Sequence, residues 1–150
     1  MHRLLDNIES IVPIGECFEL RVKGYSMLPL LGYHNDVIIV RRTEPKEDID
    51  GRIAMFRGPK RNIVVHRVVA VDNEGVTLRG DGNILQTERT PRAEIIGVVE
   101  SVRRGNGKLV SCTSASWRRK EHIWLSLPLV VRRYVLAIMR RWLNFKNNDR

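Results

Sequence analysis

The sequence has no apolar run long enough to cross a membrane. Its longest such run, residues 123–131, is interrupted by Ser126 and Pro128, whereas a spanning helix needs about 20 apolar residues. Residues 1–10 carry acids and no long apolar core, so we expect a short helix there and neither a signal peptide nor an anchor. These absences predict a cytoplasmic protein without a transmembrane helix, peripheral on the inner face of the membrane if it binds lipid.

Cysteine is scarce as well. The two cysteines, Cys17 and Cys112, are too few for a disulfide scaffold, and both lie in strand-like runs where a small buried thiol is common. The sequence also lacks a cluster with metal-ligand spacing, a glycine-rich phosphate loop and an internal repeat. We therefore expect neither a metal nor an organic cofactor.

Acidic residues are outnumbered, and the imbalance is local. The chain has 26 Lys and Arg against 17 Asp and Glu, a net charge of +9, and residues 117–150 hold nine of the basic residues and only two acids. Its 150 residues fit one ordinary domain with its own core. We predict a catalytic domain over residues 1–115 and a basic helical tail over residues 116–150.

Most of the first 115 residues have the period of a β-strand. Phe18, Leu20 and Val22 alternate with charged residues and predict a half-buried strand that runs from Glu16 into a turn at Ser26. Further strands are predicted over residues 37–40, 52–56, 63–71, 76–78, 95–102 and 108–112. The predicted fold class is therefore mainly β, a coiled antiparallel sheet with a short N-terminal helix and a C-terminal basic amphipathic helix.

The tail changes to a helical period. On a helix that is started or broken at Pro128, one face is apolar and the opposite face is basic. Such a helix either packs on the domain or lies on an anionic membrane surface, and no motif in the chain resembles a nucleic-acid reader, so no nucleic-acid partner is expected. The apolar face holds Leu127, Val131, Tyr134, Val135, Ile138, Trp142 and Phe145, and the basic face holds Arg132, Arg133, Arg140 and Arg141.

Three polar residues could form a catalytic site. Ser26 lies between a glycine turn and Pro29, His66 is the one histidine inside a strongly strand-like run, and Asp81 lies in a Gly-Asp-Gly-Asn cluster. Alone, each has an ordinary explanation as a turn serine, a core histidine or a turn aspartate. Together they have the composition of a triad, in which a base takes the proton of a serine nucleophile.

Four short motifs, in order along the chain, resemble the conserved motifs of the S24/S26 serine peptidases, and the nearest branch is the signal peptidase I type. They are Ser-Met-x-Pro at residues 26–29, a strand ending in Phe-Arg at 51–57, Val-His-Arg-Val at 65–68 and Gly-Asp-x-Asn at 80–83. Most bacterial members have a lysine where this chain has His66. The Val-His-Arg-Val motif is therefore more similar to the Ser-His branch of endoplasmic reticulum and archaeal enzymes.

The resemblance implies a serine endopeptidase, a hydrolase that cleaves an extended peptide after small residues. Ser26 would be the nucleophile, His66 the base and Asp81 the residue that orients His66. The second acidic residue of the family falls at Thr87 or Glu88 in this chain, so the orienting role is open between Asp81 and Glu88.

Two other functions fit parts of the sequence. One is a catalytically inactive module that keeps the peptidase fold and binds a membrane surface or a partner through its basic C-terminal helix. The other is a self-cleaving regulator of the S24 kind, which would need a DNA-binding domain before the protease, and only 25 residues precede Ser26.

Overall fold

The computed structural model describes residues 7–33 and 35–148. The first six residues of the predicted N-terminal helix lie outside this part, and so does His34, for which the sequence predicts a surface or packing role. A single helical turn, α1 (Ile8–Ile11), is present at the end of the predicted helix, and Ile8 is buried in the core.

The body of the molecule is an eight-stranded antiparallel sheet, which confirms the predicted mainly β fold. Its strands are β1 (Cys17–Arg21), β2 (Val37–Arg42), β3 (Ile53–Arg57), β4 (Ile63–Asp72), β5 (Gly75–Arg79), β6 (Glu88–Thr90), β7 (Ile95–Arg103) and β8 (Leu109–Ser111). Their order in the sheet is β1-β2-β7-β3-β4-β5-β6, with β8 paired to β7. Every predicted strand is present, with ends that differ by at most two residues, and the short β6 is an addition.

The sheet buries an apolar cluster on each face. In β3, Ile53 and Met55 belong to one cluster and Ala54 and Phe56 to the other, as the alternation of side chains along a strand requires. Register shifts interrupt three of the pairings, β2 with β7, β3 with β7 and β4 with β5. Such bulges bend and twist a sheet, which suits the predicted coiled shape.

The tail forms two helices, α2 (Ala115–Ser126) and α3 (Leu129–Asn148), which meet at an angle of 115°. Ser114 caps α2, because its Oγ accepts a hydrogen bond of 3.2 Å from the backbone nitrogen of Trp117. The break falls at Pro128, as predicted from the sequence. In the described part of the chain no single helix has the length and apolar character of a membrane span, although α2 and α3 together meet that test as a bent pair.

The predicted division of α3 into an apolar and a basic face is wrong for Arg132, and Arg140 of the predicted basic face also bonds to the body. Arg132 lies against the body at 8% exposure, and its Nε and Nη2 donate to the backbone oxygens of Leu127 and Leu125. The last carbonyls of a helix lack helical partners and attract arginine, and these two end α2. Helical periodicity could not reveal this role, because it depends on how the two helices meet.

Candidate active site

Ser26 lies in the turn that follows β1. Gly24 has a positive φ of 83°, which glycine adopts without strain, and it ends the strand just before the serine. The next residues anchor the turn, since Leu28 is completely buried and the amide of Leu31 donates to the Met27 carbonyl at 3.0 Å. Ser26 itself is half-buried, at the boundary between core and solvent.

His66 lies in the middle of β4 and is only 5% exposed. It pairs with Ala54 across the strands and stands at a tilt against Phe56, with ring centroids 6.2 Å apart. Val64 and Val68, two residues away on either side, pack in the same cluster as Phe56. His66 therefore shares an apolar face of β4 with these residues.

Ser26 and His66 converge at Gly80. A Cβ at residue 80 would overlap the carbonyl oxygen of Ser26 and would lie 3.2 Å from Nε2 of His66. The loop is tied to the serine turn, because the amide of Gly82 donates to the Ser26 carbonyl at 2.8 Å. Glycine at position 80 is required by this close approach, which brings the backbone of the predicted nucleophile and the ring of the predicted base to the same residue.

The opposite edge of the His66 ring points to Glu88. Oε1 of Glu88 lies 3.2 Å from Nδ1, but the orientation is not that of a hydrogen bond, and Nδ1 has no hydrogen-bond partner among the described residues. Burial lowers the pKa of His66, and the carboxylates of Glu88 and Asp81 oppose this only in part. The imidazole is therefore neutral at neutral pH, the form that can accept a proton.

Asp81 is joined to Arg67. Its two carboxylate oxygens accept hydrogen bonds of 2.8 and 2.7 Å from Nε and Nη2 of Arg67, and both side chains are almost completely buried. Nη1 of Arg67 donates to the carbonyl of Gly51 and lies 3.1 Å from a carboxylate oxygen of Glu121. Burial disfavours the charge, but the two carboxylates outweigh it and raise the pKa of Arg67. No hydrogen bond joins Asp81 to His66 in the described ranges.

The tail helices also hold the loop that carries Asp81. Nε1 of Trp124 donates to the backbone oxygen of Asp81 at 3.1 Å, and Nη2 of Arg140 donates to that of Gly82 at 2.8 Å. Sequence reasoning missed these contacts. The available signal was the seven-residue spacing of Trp117 and Trp124, which puts both on one face of a helix, and both are buried.

An apolar groove opens beside Ser26. It has a volume of about 370 Å³ and lies between the end of β1 and the start of β4. β1 is the terminal strand in the sheet order, so it has a free edge that an extended peptide could join by β-augmentation. The groove is lined by Leu20, Arg21, Val22, Lys23, Gly24, Ser26, Met27, Ile38, Ile63, Val64 and Val65.

Comparison with known proteins identifies a family for the chain. No curated protein sequence matches the chain. A family model described as Peptidase S24-like matches residues 5–100, a segment that contains Ser26, His66, Asp81 and Glu88. Because the match covers more than half of the chain, the chain belongs to the S24-like peptidase family.

Proposed function

We propose that the chain is a serine endopeptidase of the signal peptidase I-like type, which cleaves an extended peptide after small residues. The observation that carries this proposal is that the backbone carbonyl of Ser26 and Nε2 of His66 both lie next to Gly80, so the two residues are neighbours in the fold. A nucleophile and its base must lie within hydrogen-bond reach during the reaction, and this contact often tightens only when substrate binds.

In the proposed reaction, Oγ of Ser26 attacks the peptide carbonyl and Nε2 of His66 takes the serine proton. His66 then gives this proton to the leaving amine, and a water molecule activated by His66 hydrolyses the acyl-enzyme. The backbone amide of Ser26 is the first donor to the oxyanion. Because burial lowers the pKa of His66, the base starts in its neutral form.

Glu88 is the better candidate than Asp81 to orient His66. Its carboxylate is 3.2 Å from Nδ1, where it favours the tautomer that carries its proton on Nδ1 and leaves Nε2 free to accept. Both oxygens of Asp81 are already bonded to Arg67. Asp81 therefore has a structural role in this proposal, since it holds the Gly80–Asn83 loop against the serine turn.

The groove beside Ser26 is the proposed substrate site. A peptide paired with β1 would present alternate side chains to the apolar floor, and Met27, which is 3% exposed, would limit the depth of the pocket. A small side chain fits next to Ser26 without moving this core residue, whereas a large one would require displacement. The apolar lining of the groove supports a signal peptidase-like substrate with a small residue next to the cut.

A labelled serine-reactive probe tests the proposal. We expect the probe to label the wild-type protein and to fail with Ser26→Ala. Ser116→Ala, which changes an exposed serine of α2, is the matched control and should label normally. A wild-type protein that resists the probe at neutral pH would favour the inactive binding module, and labelling that persists in Ser26→Ala would place the nucleophile elsewhere.

A further inference from the structure

The outward side of α3 is a large exposed apolar surface. Its inward side buries Leu136 and Leu143 at 4% exposure each, which fixes the orientation of the helix. The residues that face away recur every three or four positions and form one continuous stripe. This stripe, here called the α3 outer face, comprises Val130 (64% exposed), Val131 (41%), Tyr134 (70%), Ile138 (67%), Trp142 (54%) and Phe145 (69%).

Unpaired positive charge surrounds the α3 outer face. Arg133 and Arg141 are exposed on the same helix, and neither takes part in an ion pair within the described residues. Lys146 lies with its ammonium nitrogen 5.1 Å from the centroid of the Trp142 ring. The only acid in the described part of the two helices is Glu121, and it is paired with Arg67. The surface therefore combines aromatic and aliphatic side chains with an excess of cations.

We propose that the α3 outer face docks on an anionic membrane surface. Tryptophan, tyrosine and phenylalanine enter the interface between headgroups and acyl chains, while flanking arginines bind lipid phosphates, and this combination is typical of interfacial helices. A second copy of the chain is a poorer occupant, because a symmetric contact would bring the arginines of both copies together. The charge therefore favours anionic lipid over self-association.

Docking in this orientation would leave α3 between the lipid and the candidate active site, so the site would lie one helix diameter, roughly 10 Å, from the membrane surface. The helix that carries the α3 outer face also contacts the site, since Arg140 donates to the Gly82 carbonyl and the hydroxyl of Tyr25 donates to Oδ1 of Asn144 at 3.2 Å. Tyr25 precedes Ser26 directly. If the proposed peptidase function holds, on which this step rests, the substrates are peptide segments that lie at or emerge from a membrane surface.

Sedimentation with lipid vesicles tests the docking surface. The full chain should bind vesicles that contain phosphatidylglycerol and should bind phosphatidylcholine vesicles weakly. Binding should weaken as salt rises, because electrostatic attraction is screened within about 10 Å at 0.1 M ionic strength. Failure to bind acidic vesicles at low salt would overturn the proposal, and so would equal binding to both kinds of vesicle.

Variants separate the apolar contribution from the charge. Ile138→Ser, Trp142→Ser and Phe145→Ser combined should abolish binding, whereas Leu85→Ser with Leu109→Ser, which alters equally exposed apolar residues elsewhere, should not. Arg133→Gln with Arg141→Gln should weaken binding by about 25-fold, at about fivefold for each charge near the surface. The matched control is Lys60→Gln with Lys108→Gln, which removes the same charge from exposed turns. Equal losses in test and control variants would contradict the proposed surface.

The remaining measurements distinguish lipid docking from self-association, and they separate docking from peptidase activity. If sedimentation equilibrium shows a dimer that the triple serine variant disrupts, and acidic vesicles are not bound, the surface is a self-association interface and the proposal fails. Ser26→Ala should bind vesicles as the wild type does, so a lack of peptidase activity leaves the docking test intact. With an active enzyme, a lipid-tethered peptide on acidic vesicles should be cleaved faster than the same peptide free in solution, and equal rates would contradict the substrate assignment.

Discussion

His66 and Arg67 are neighbours in β4 and both are buried, but their polar atoms meet different surroundings. The guanidinium of Arg67 is enclosed by two carboxylates and a backbone carbonyl, of Asp81, Glu121 and Gly51. Nδ1 of His66 has no hydrogen bond within the described chain. Its Nε2 lies next to Gly80, which is also close to the carbonyl of Ser26. Successive side chains of a strand point to opposite sides. One side of β4 therefore holds the fully bonded ionic cluster of Arg67, and the other side holds His66, whose hydrogen bonding is incomplete.

The difference indicates separate roles. A buried charge is tolerated only when it is paired and hydrogen-bonded, and the Arg67 cluster meets that requirement, so it is suited to hold the loop. An unsatisfied buried group in a native protein often marks a reactive site. His66 fits this second description, and the following predictions test the contrast.

The largest expected effect comes from the proposed catalytic pair, Ser26 and His66. Ser26→Ala and His66→Ala should each lower kcat/KM by at least about 10³-fold, and the double variant should lose little more, since a nucleophile and its base act as one unit. Peptide cleavage assays with purified variants measure this, with Ser116→Ala as the active control. Additive losses in the double variant would show that the two residues do not act together.

In the ionic cluster of Arg67, Asp81→Asn should mainly reduce the stability of the fold. It leaves the charge of Arg67 buried with one weaker partner, and breaking such a pair costs about 3–5 kcal/mol. Urea unfolding should show this loss, whereas Glu121→Gln, at a more exposed position, should cost less. Activity per folded molecule should persist in Asp81→Asn. Normal stability with activity as low as that of His66→Ala would instead make Asp81 the orienting residue.

Glu88→Gln should affect activity and leave stability nearly unchanged. We expect kcat/KM to fall by about 10- to 100-fold, less than the roughly 10⁴-fold cost of neutralising the aspartate of a fully formed triad, because Nδ1 of His66 has no aligned hydrogen bond to Glu88 in the described structure. The Glu88 carboxylate raises the pKa of His66, so its removal should move the midpoint of the pH profile to lower pH. An unchanged rate and midpoint would exclude Glu88 from the site.

The smallest expected effect concerns the substrate. A peptide with Ala at the residue before the cut and two residues earlier should be cleaved at least about fivefold faster than one with Leu or Phe there, because overfilling a packed pocket costs about 1–3 kcal/mol. Competition between the two peptides measures the ratio directly. A preference for the bulky peptide would remove the small-residue specificity and leave the peptidase proposal standing.

The fold was largely predictable because its strands have clear patterns. Alternation and turn residues located every long strand, but β6 (Glu88–Thr90) contains no apolar residue to mark a buried side. The approach of Ser26, His66 and the Gly80 loop to one place was predictable in part, since the β4–β5 hairpin returns the loop towards β4.

The partners of the charged groups were harder to predict. The sequence favours Asp81 and leaves Glu88 as the alternative, whereas the three-dimensional packing joins Asp81 to Arg67 and brings Glu88 close to His66. The orientation of α3 was equally inaccessible. Its inward stripe, with Leu136 and Leu143, and its outward stripe, with Tyr134 and Ile138, are both apolar, and a helical period cannot choose which one the body covers.

The measurement that tests the central claim most directly is the rate at which a serine-reactive probe acylates Ser26 as a function of pH. Burial lowers the pKa of His66 below its ordinary value, and only the neutral ring accepts a proton, so the rate should rise with pH along a single ionisation whose midpoint lies below about 6.5. His66→Ala should abolish this rise. A rate that climbs only at alkaline pH and survives in His66→Ala would contradict the Ser-His assignment and direct the search for a base to Lys23.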